Sequence, residues 1–158
     1  MLYFGLKKTG FPLHAEDSDL PSLNYLHAGA AKLWVVARPE DTERIKKLVD
    51  VMVPTECSDQ LRHKNLLLSP RVLSENCIPY DVLVQQPGEF VMVFPNALHQ
   101  GWNLGPNLAE AANFGSNDWV AHWRSQSSAE RKCICVDEKN QALTLNLDMS
   151  HYPPEASR

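Results

Sequence analysis

The 158 residues hold no apolar run that approaches the ~20 residues a membrane span requires. The first residues also lack the apolar block of a secretory signal. The expectation is therefore an intracellular chain with no membrane partner. A basic surplus is missing as well: 15 Lys and Arg stand against 19 Asp and Glu, a net charge of −4. That balance disfavours nucleic-acid binding through a basic face and suits a basic peptide partner. Cysteine is scarce. The four present, Cys57, Cys77, Cys133 and Cys135, are too few for a disulfide scaffold of this length, and a Cys-x-Cys pair points to metal instead. Internal repeats and low-complexity tracts are absent too. What remains is ordinary for a globular protein, with 44% apolar and 22% charged residues, in a length that suits one domain rather than two.

Three segments read as helices. In "RPEDTERIKKLVDVM", Pro39 takes a first helical position and Ile45, Leu48, Val49 and Met52 recur on one face. "SPRVLSEN" offers Ser69 as N-cap and Pro70 behind it. "SNDWVAHWR" sets Trp119 and Trp123 four apart behind Ser116 and Asn117 as cap candidates. The segments "LYFGL", "LNYLHA", "KLWVVA" and "EFVMVF" are rich in β-branched and aromatic residues and read as strands between Gly and Pro turns. Short strands with polar residues arriving from distant segments suit a mainly β jelly roll or cupin-type barrel with a few peripheral helices. Cys77 has no neighbour at metal spacing and reads as a core thiol. The end, "SHYPPEASR", reads as disordered.

The stretch "FPLHAEDSDL" runs from an apolar lead-in straight into a polar cluster. On an extended backbone, His14 and Glu16 project to the same side and form a two-point clamp for a divalent metal. Solvated charges at a surface strand end are the plain alternative, so a third ligand has to decide. "QPGEFVMVFPNALHQGWN" supplies a candidate in His99, beside a buried strand and after a turn. Two His and one carboxylate match the facial triad that holds a non-haem iron with open positions. His27, in "NYLHAG", and His122, between tryptophans, compete for the third place; lone histidines of that kind more often belong to a core or surface.

At this point the stretches "LYFGLKKTGFPLHAEDSDLPSLNYLHAGAAKLW" and "QQPGEFVMVFPNALHQGWNLGPNLAEAANF" closely resemble the JmjC domain of histone lysine demethylases. The resemblance implies a double-stranded β-helix over residues 1–136 that lacks the family's N-terminal part, followed by a C-terminal extension over 137–158. It implies Fe(II) held by His14, Glu16 and His99, and 2-oxoglutarate held by Asn24 and Lys32 with Trp34 beside it. A buried lysine ammonium needs an anion, and the distal carboxylate of the cosubstrate would be that anion. Trp34 as plain core is the alternative. Tyr3, Ala111, Ala112 and Asn113 fall on the methyl-lysine pocket. The family's zinc branch often carries hydroxyl residues where this chain has Ala111 and Ala112, which leaves the preferred methylation state open.

Cys57 and His63 lie six apart, and Cys133 and Cys135 two apart. Such residues compose a closed Cys3His zinc site or, alternatively, unrelated thiols. The resemblance favours zinc, because the branch acting on trimethyl-lysine carries such a site around an Arg-His-Lys run like Arg62-His63-Lys64. The implied activity is oxidative demethylation of a lysine on the histone H3 tail in the nucleus, releasing formaldehyde and succinate. No sequence-specific nucleic-acid contact is expected. Two other readings stay open: a JmjC protein hydroxylase, and a catalytically silent chromatin-binding module. Asp17 and Asp19 are expected to be bystanders.

Overall fold

The computed structural model describes residues 1–55, 57 and 59–125. The expected boundary at residue 136, Cys133, Cys135 and the extension therefore lie outside the described residues. Eight strands and three helices follow one another. The strands are β1 (Leu2–Gly5), β2 (Gly10–His14), β3 (Ser22–Gly29), β4 (Lys32–Ala37), β5 (Tyr80–Gln85), β6 (Phe90–Val93), β7 (His99–Asn103) and β8 (Asn107–Asn113). The helices are α1 (Thr42–Met52), α2 (Pro70–Glu75) and α3 (Asn117–Ser125). Two antiparallel sheets result, in the orders β1-β8-β3-β6 and β2-β7-β4-β5. Interleaving of the chain between two four-stranded sheets is the jelly-roll arrangement expected from the short strands.

Local chemistry explains the helices. A 3-10 turn over Pro39–Asp41 leads into α1, whose Ile45 and Val49, one turn apart, are fully buried. Met52, expected on the same face, is 48% exposed, because the last turn of α1 runs past the sheet it packs on. Ser69 caps α2 by accepting a hydrogen bond from the Arg71 amide at 3.3 Å, and Ser116 accepts one from Trp119 at the start of α3. Cys77 is exposed rather than core: it follows α2 with a φ of 52°, in the left-handed conformation that ends the helix and turns its side chain outward. Among the described residues, no helix is long and apolar enough to cross a membrane.

The apolar core does not fill the space between the sheets. Its larger part lies on the outer side of the second sheet, where Leu13, Val35, Ala37 and Leu98 meet Ile45 and Val49 of α1, Leu73 of α2 and Leu61 and Leu68 between them. The smaller part, Trp34, Val91, Val93 and Ala97, lines the interior together with Phe11 and Val36. Strand β4 faces both clusters, which is why "KLWVVA" is apolar on nearly every residue instead of alternating. Ser22, Asn24, Lys32, Gln85 and His99 are buried polar residues on the inner faces. The outer face of the first sheet carries Phe4, Phe90 and Met92, each more than half exposed.

Strand β2 is an edge strand with a defect that matters. Phe11 pairs with Gly101, and His14 with His99, so β2 carries one more residue than β7 across this interval. Pro12 sits in the bulge, where its missing amide costs no ladder bond. In a regular ladder Leu13 would oppose His99 and point inward, with His14 outside. The bulge reverses this. Leu13 joins the outer core and His14 turns to the interior.

Gly101 gives the second sheet its tight centre. A Cβ there would overlap the Leu33 carbonyl oxygen and the Phe11 ring. Gly101→Ala is therefore expected to destabilise the fold by about 1–3 kcal/mol, measured by denaturant unfolding, and to shift tryptophan fluorescence because Phe11 packs on Trp34 with 4.7 Å between centroids.

Candidate metal centre and cosubstrate pocket

His14 ends β2, His99 begins β7, and Glu16 follows β2 in an extended conformation. One nitrogen of each imidazole and one carboxylate oxygen of Glu16 all lie within 4.8 Å of one another. The expected triad is thus assembled from segments more than eighty residues apart in sequence. Each histidine is fixed through its other nitrogen. Nδ1 of His14 donates to the Pro12 carbonyl at 2.7 Å, and Nδ1 of His99 to the Ala97 carbonyl at 3.0 Å. Those bonds set the tautomer that leaves both Nε2 lone pairs free for a metal.

The electrostatics suit the same role. Burial pushes the His99 imidazole down, and the adjacent His14 adds to it, to about 4. Burial also holds His14 below its ordinary value, with the Lys64 ammonium contributing. Both rings are then neutral at pH 7 and able to donate lone pairs. Burial alone would push the Glu16 carboxyl up, but hydrogen bonds from Ser22 and Asn113 and the nearby histidines hold it below the usual carboxylate range. Two neutral imidazoles and an ionised carboxylate fit a divalent first-row ion such as iron.

A second group lies on the far side of an aromatic pair. The Trp34 ring is 6.0 Å from the His99 ring, and the Phe11 ring 6.0 Å from it as well. The Lys32 ammonium lies 5.9 Å from the Phe11 centroid and 5.8 Å from that of Trp34. Lys32 is 6% exposed and burial lowers its pKa, yet no carboxylate among the described residues lies within salt-bridge range of it. A buried ammonium in this state calls for an anion. Asn24 faces the same interior, and its Oδ1 is buried with no hydrogen-bond partner.

The remaining expected residues distribute unevenly. Tyr3 opposes the fully buried Ala109 and so lies on the inner face of β1, partly open to solvent. Asn113 reaches Glu16, and Ala111 opposes Asn24. Ala112 opposes Leu23, so the alternation of β8 turns it to the other face. Cys57 and His63 meet, with 3.3 Å between Sγ and Nε2. His27 pairs with Glu110 at 3.1 Å on the outside of the first sheet and stays apart from the triad; His122 lies on α3. Sequence reasoning missed Ser22 and Lys64. Ser22 stands two residues before Asn24 on the same face of β3, a period-two signal that could have found it. Lys64 pairs with Asp17 at 3.8 Å, a nearness that only tertiary structure creates. Asp17 is therefore tied to the surroundings of the site.

A jelly roll of eight strands among the described residues, holding inside it a His-Glu-His cluster able to hold a metal and a buried lysine near it, defines a cupin-type fold. Residues 1–114 match the family described as JmjC domain, hydroxylase. The chain is 41% identical over 150 residues to "Probable lysine-specific demethylase 4F" of Homo sapiens, covering 93% of this chain and 22% of that protein. It is 43% identical over 141 residues to "Lysine-specific demethylase 4D" of Rattus norvegicus, covering 87% and 27%. It is 39% identical over 137 residues to "Lysine-specific demethylase 4B" of Mus musculus, covering 85% and 12%. The chain belongs to the JmjC family. It spans about a quarter or less of the length of these relatives.

If Glu16 supplies the charge of the triad, Glu16→Ala weakens Mn(II) binding by more than the roughly 100-fold that loss of an outer hydrogen-bond partner costs. Asp19→Asn leaves it unchanged; Asn is the right replacement because Asp19 has a φ of 51°. Calorimetric titration of both variants checks this, and retained binding in Glu16→Ala would mean that another carboxylate is the ligand.

Proposed function

We propose that the chain is the catalytic part of an Fe(II)- and 2-oxoglutarate-dependent oxygenase that removes methyl groups from lysine on the histone H3 tail in the nucleus. The observation that carries the proposal is the convergence of His14, Glu16 and His99 within 4.8 Å inside the barrel. The names of the relatives, each a lysine-specific demethylase, support the substrate class. Iron bound there would couple decarboxylation of 2-oxoglutarate by O2 to oxidation of an N-methyl group, with succinate, CO2 and formaldehyde as products. The chain's own residues do the rest. Lys32 pairs with the distal carboxylate of the cosubstrate, and Asn24, whose Oδ1 has no hydrogen-bond partner, lies on the same inner face. Phe11 and Trp34 form the apolar wall along which the cosubstrate lies, keeping water from the reacting end. Ser22 and Asn113 hold the Glu16 carboxylate in its ionised form. Tyr3, Ala111 and Asn113 line the entry of the methylated lysine. The small Ala111 leaves more room and fewer polar contacts there than a hydroxyl residue would.

Incubating the protein with Fe(II), 2-oxoglutarate, O2 and a trimethyl-lysine H3 peptide is expected to give formaldehyde and succinate together, and His99→Ala neither. A peptide that gains one oxygen without losing a methyl group would favour the hydroxylase reading, for which the family description speaks. Cosubstrate binding with no product on either peptide would favour a silent chromatin-binding module.

We also propose a structural zinc held by Cys57, His63, Cys133 and Cys135. Its support is the 3.3 Å approach of Cys57 to His63, with the Asp59 amide donating to the same sulfur at 3.4 Å. Zinc bound to a folded chain adds its binding energy to stability. Cys133→Ser is therefore expected to lower zinc content and melting temperature together while Mn(II) binding at the triad persists. Unchanged zinc content would refute the ligand set.

A further inference from the structure

Gln85 is an unexpected residue at its position. It ends β5, an edge strand whose Val82, Leu83 and Val84 are all more than 40% exposed, yet Gln85 itself is 1% exposed. A strand with one fully buried position ordinarily fills it with an apolar side chain, since a carboxamide must be desolvated and then satisfied. Here it is satisfied completely. Oε1 accepts from the Trp34 indole Nε1 at 3.0 Å. Nε2 donates to the Asn24 carbonyl at 3.1 Å and to the Glu89 carbonyl at 3.1 Å. Gln85 also stands directly opposite Lys32 in the β4–β5 register. One side chain thus ties β3 of the first sheet, β4 of the second and the turn before β6, around a lysine with no counter-charge among the described residues.

Two of the three connections end on residues of the candidate cosubstrate pocket. The bond to Trp34 fixes the rotation of an indole that contacts Phe11 and lies near both His99 and Lys32. The bond to the Asn24 carbonyl fixes the point on β3 from which the Asn24 side chain, with its unpartnered Oδ1, projects. Leu or Met at this position would bury as much apolar surface but could orient neither. We infer that Gln85 is a positioning residue: its carboxamide holds Trp34 and the Asn24 segment so that, with Lys32, they form a preset pocket for the distal carboxylate of a 2-oxo dicarboxylic acid. This rests on the cosubstrate reading above.

The test uses the full chain loaded with Mn(II) in place of iron, so that no turnover occurs, and measures 2-oxoglutarate binding by calorimetry at a temperature well below the melting transition. Gln85→Met is expected to raise the Kd on the order of tenfold, the size of one lost hydrogen bond, with Mn(II) affinity unchanged. Trp34→Phe keeps an aromatic ring on the wall while removing the indole donor together with the second ring. It is expected to raise the Kd by a similar factor, and the double variant no further than either. A lowered melting temperature in Gln85→Met with an unchanged Kd would overturn the inference, as would additive effects of the two substitutions. Should Gln85→Met not fold, an unchanged Kd in Trp34→Phe alone overturns it. Absence of 2-oxoglutarate binding by the parent chain would overturn the cosubstrate reading together with this inference, whereas binding by the parent and equally by the variants would overturn this inference alone.

Discussion

Because β2 contains one residue more than β7 between Phe11 and His14, two neighbouring side chains go to opposite places. Leu13 enters the core against the helices and His14 enters the interior. With regular alternation from Phe11 the assignments would be exchanged, leaving a leucine beside His99 and Glu16 and an imidazole among Ile45, Val49 and Leu73. Pro12 serves this bulge twice. It gives up an amide that an edge strand does not need, and its carbonyl accepts from His14 Nδ1 at 2.7 Å, aiming the ring. The same solution recurs at the other histidine, where the Ala97 carbonyl, two residues before His99, accepts from its Nδ1. A carbonyl two residues upstream thus orients each imidazole, and the donor geometry is set by backbone rather than by mobile side chains.

Burying so many polar groups between two sheets works against stability, and the fold answers by placing its main apolar core elsewhere. The cluster of Ile45, Val49, Leu61, Leu68, Leu73 and Leu98 lies outside the second sheet. Gln100 supports it: fully buried, it accepts from the Leu68 amide at 2.9 Å and donates back to the Leu68 carbonyl, joining the segment after Lys64 to β7 as a strand would. Leu66 accepts from the Leu13 amide on the other side. Those bonds place Lys64 close enough to act on both histidines. The outer core and the inner site are therefore coupled through β2 and β7, which have one face in each.

Much of this was legible from sequence, for reasons that differ between elements. β1, β3, β4 and β6 carry β-branched and aromatic residues, and all three helices announce themselves through caps or periodicity. β7 and β8 do not. "HQGWN" contains a glycine and two amides, and "NLAEAAN" is made largely of helix formers and turn residues. They are strands because each is enclosed by partners on both sides, β7 by β2 and β4, β8 by β1 and β3. Tertiary pairing overrides local preference there. His14 and Glu16 were readable as a pair, but the sequence offered no sign of the bulge that turns His14 inward. Lys64 and Gln85 were out of reach for another cause: their roles come from partners in other strands or loops.

The interior can be read as two half-sites sharing one aromatic wall. At one end, histidines whose charge is suppressed by burial face an ionised carboxylate. At the other, an ammonium is buried with no carboxylate among the described residues in salt-bridge range. Neither end is at rest by itself, since the first gathers donor atoms with lone pairs and the second carries an uncompensated charge. A ligand with one end that chelates a cation and another that is an anion relieves both at once, and only if its length matches the span of Phe11 and Trp34. On the proposed reading, selectivity would come from the spacing between the two ends, while each end alone would accept many ions. On that same reading the spacing would be held from behind, by the Gln85 carboxamide on the tryptophan and by the Pro12 backbone carbonyl on the histidine.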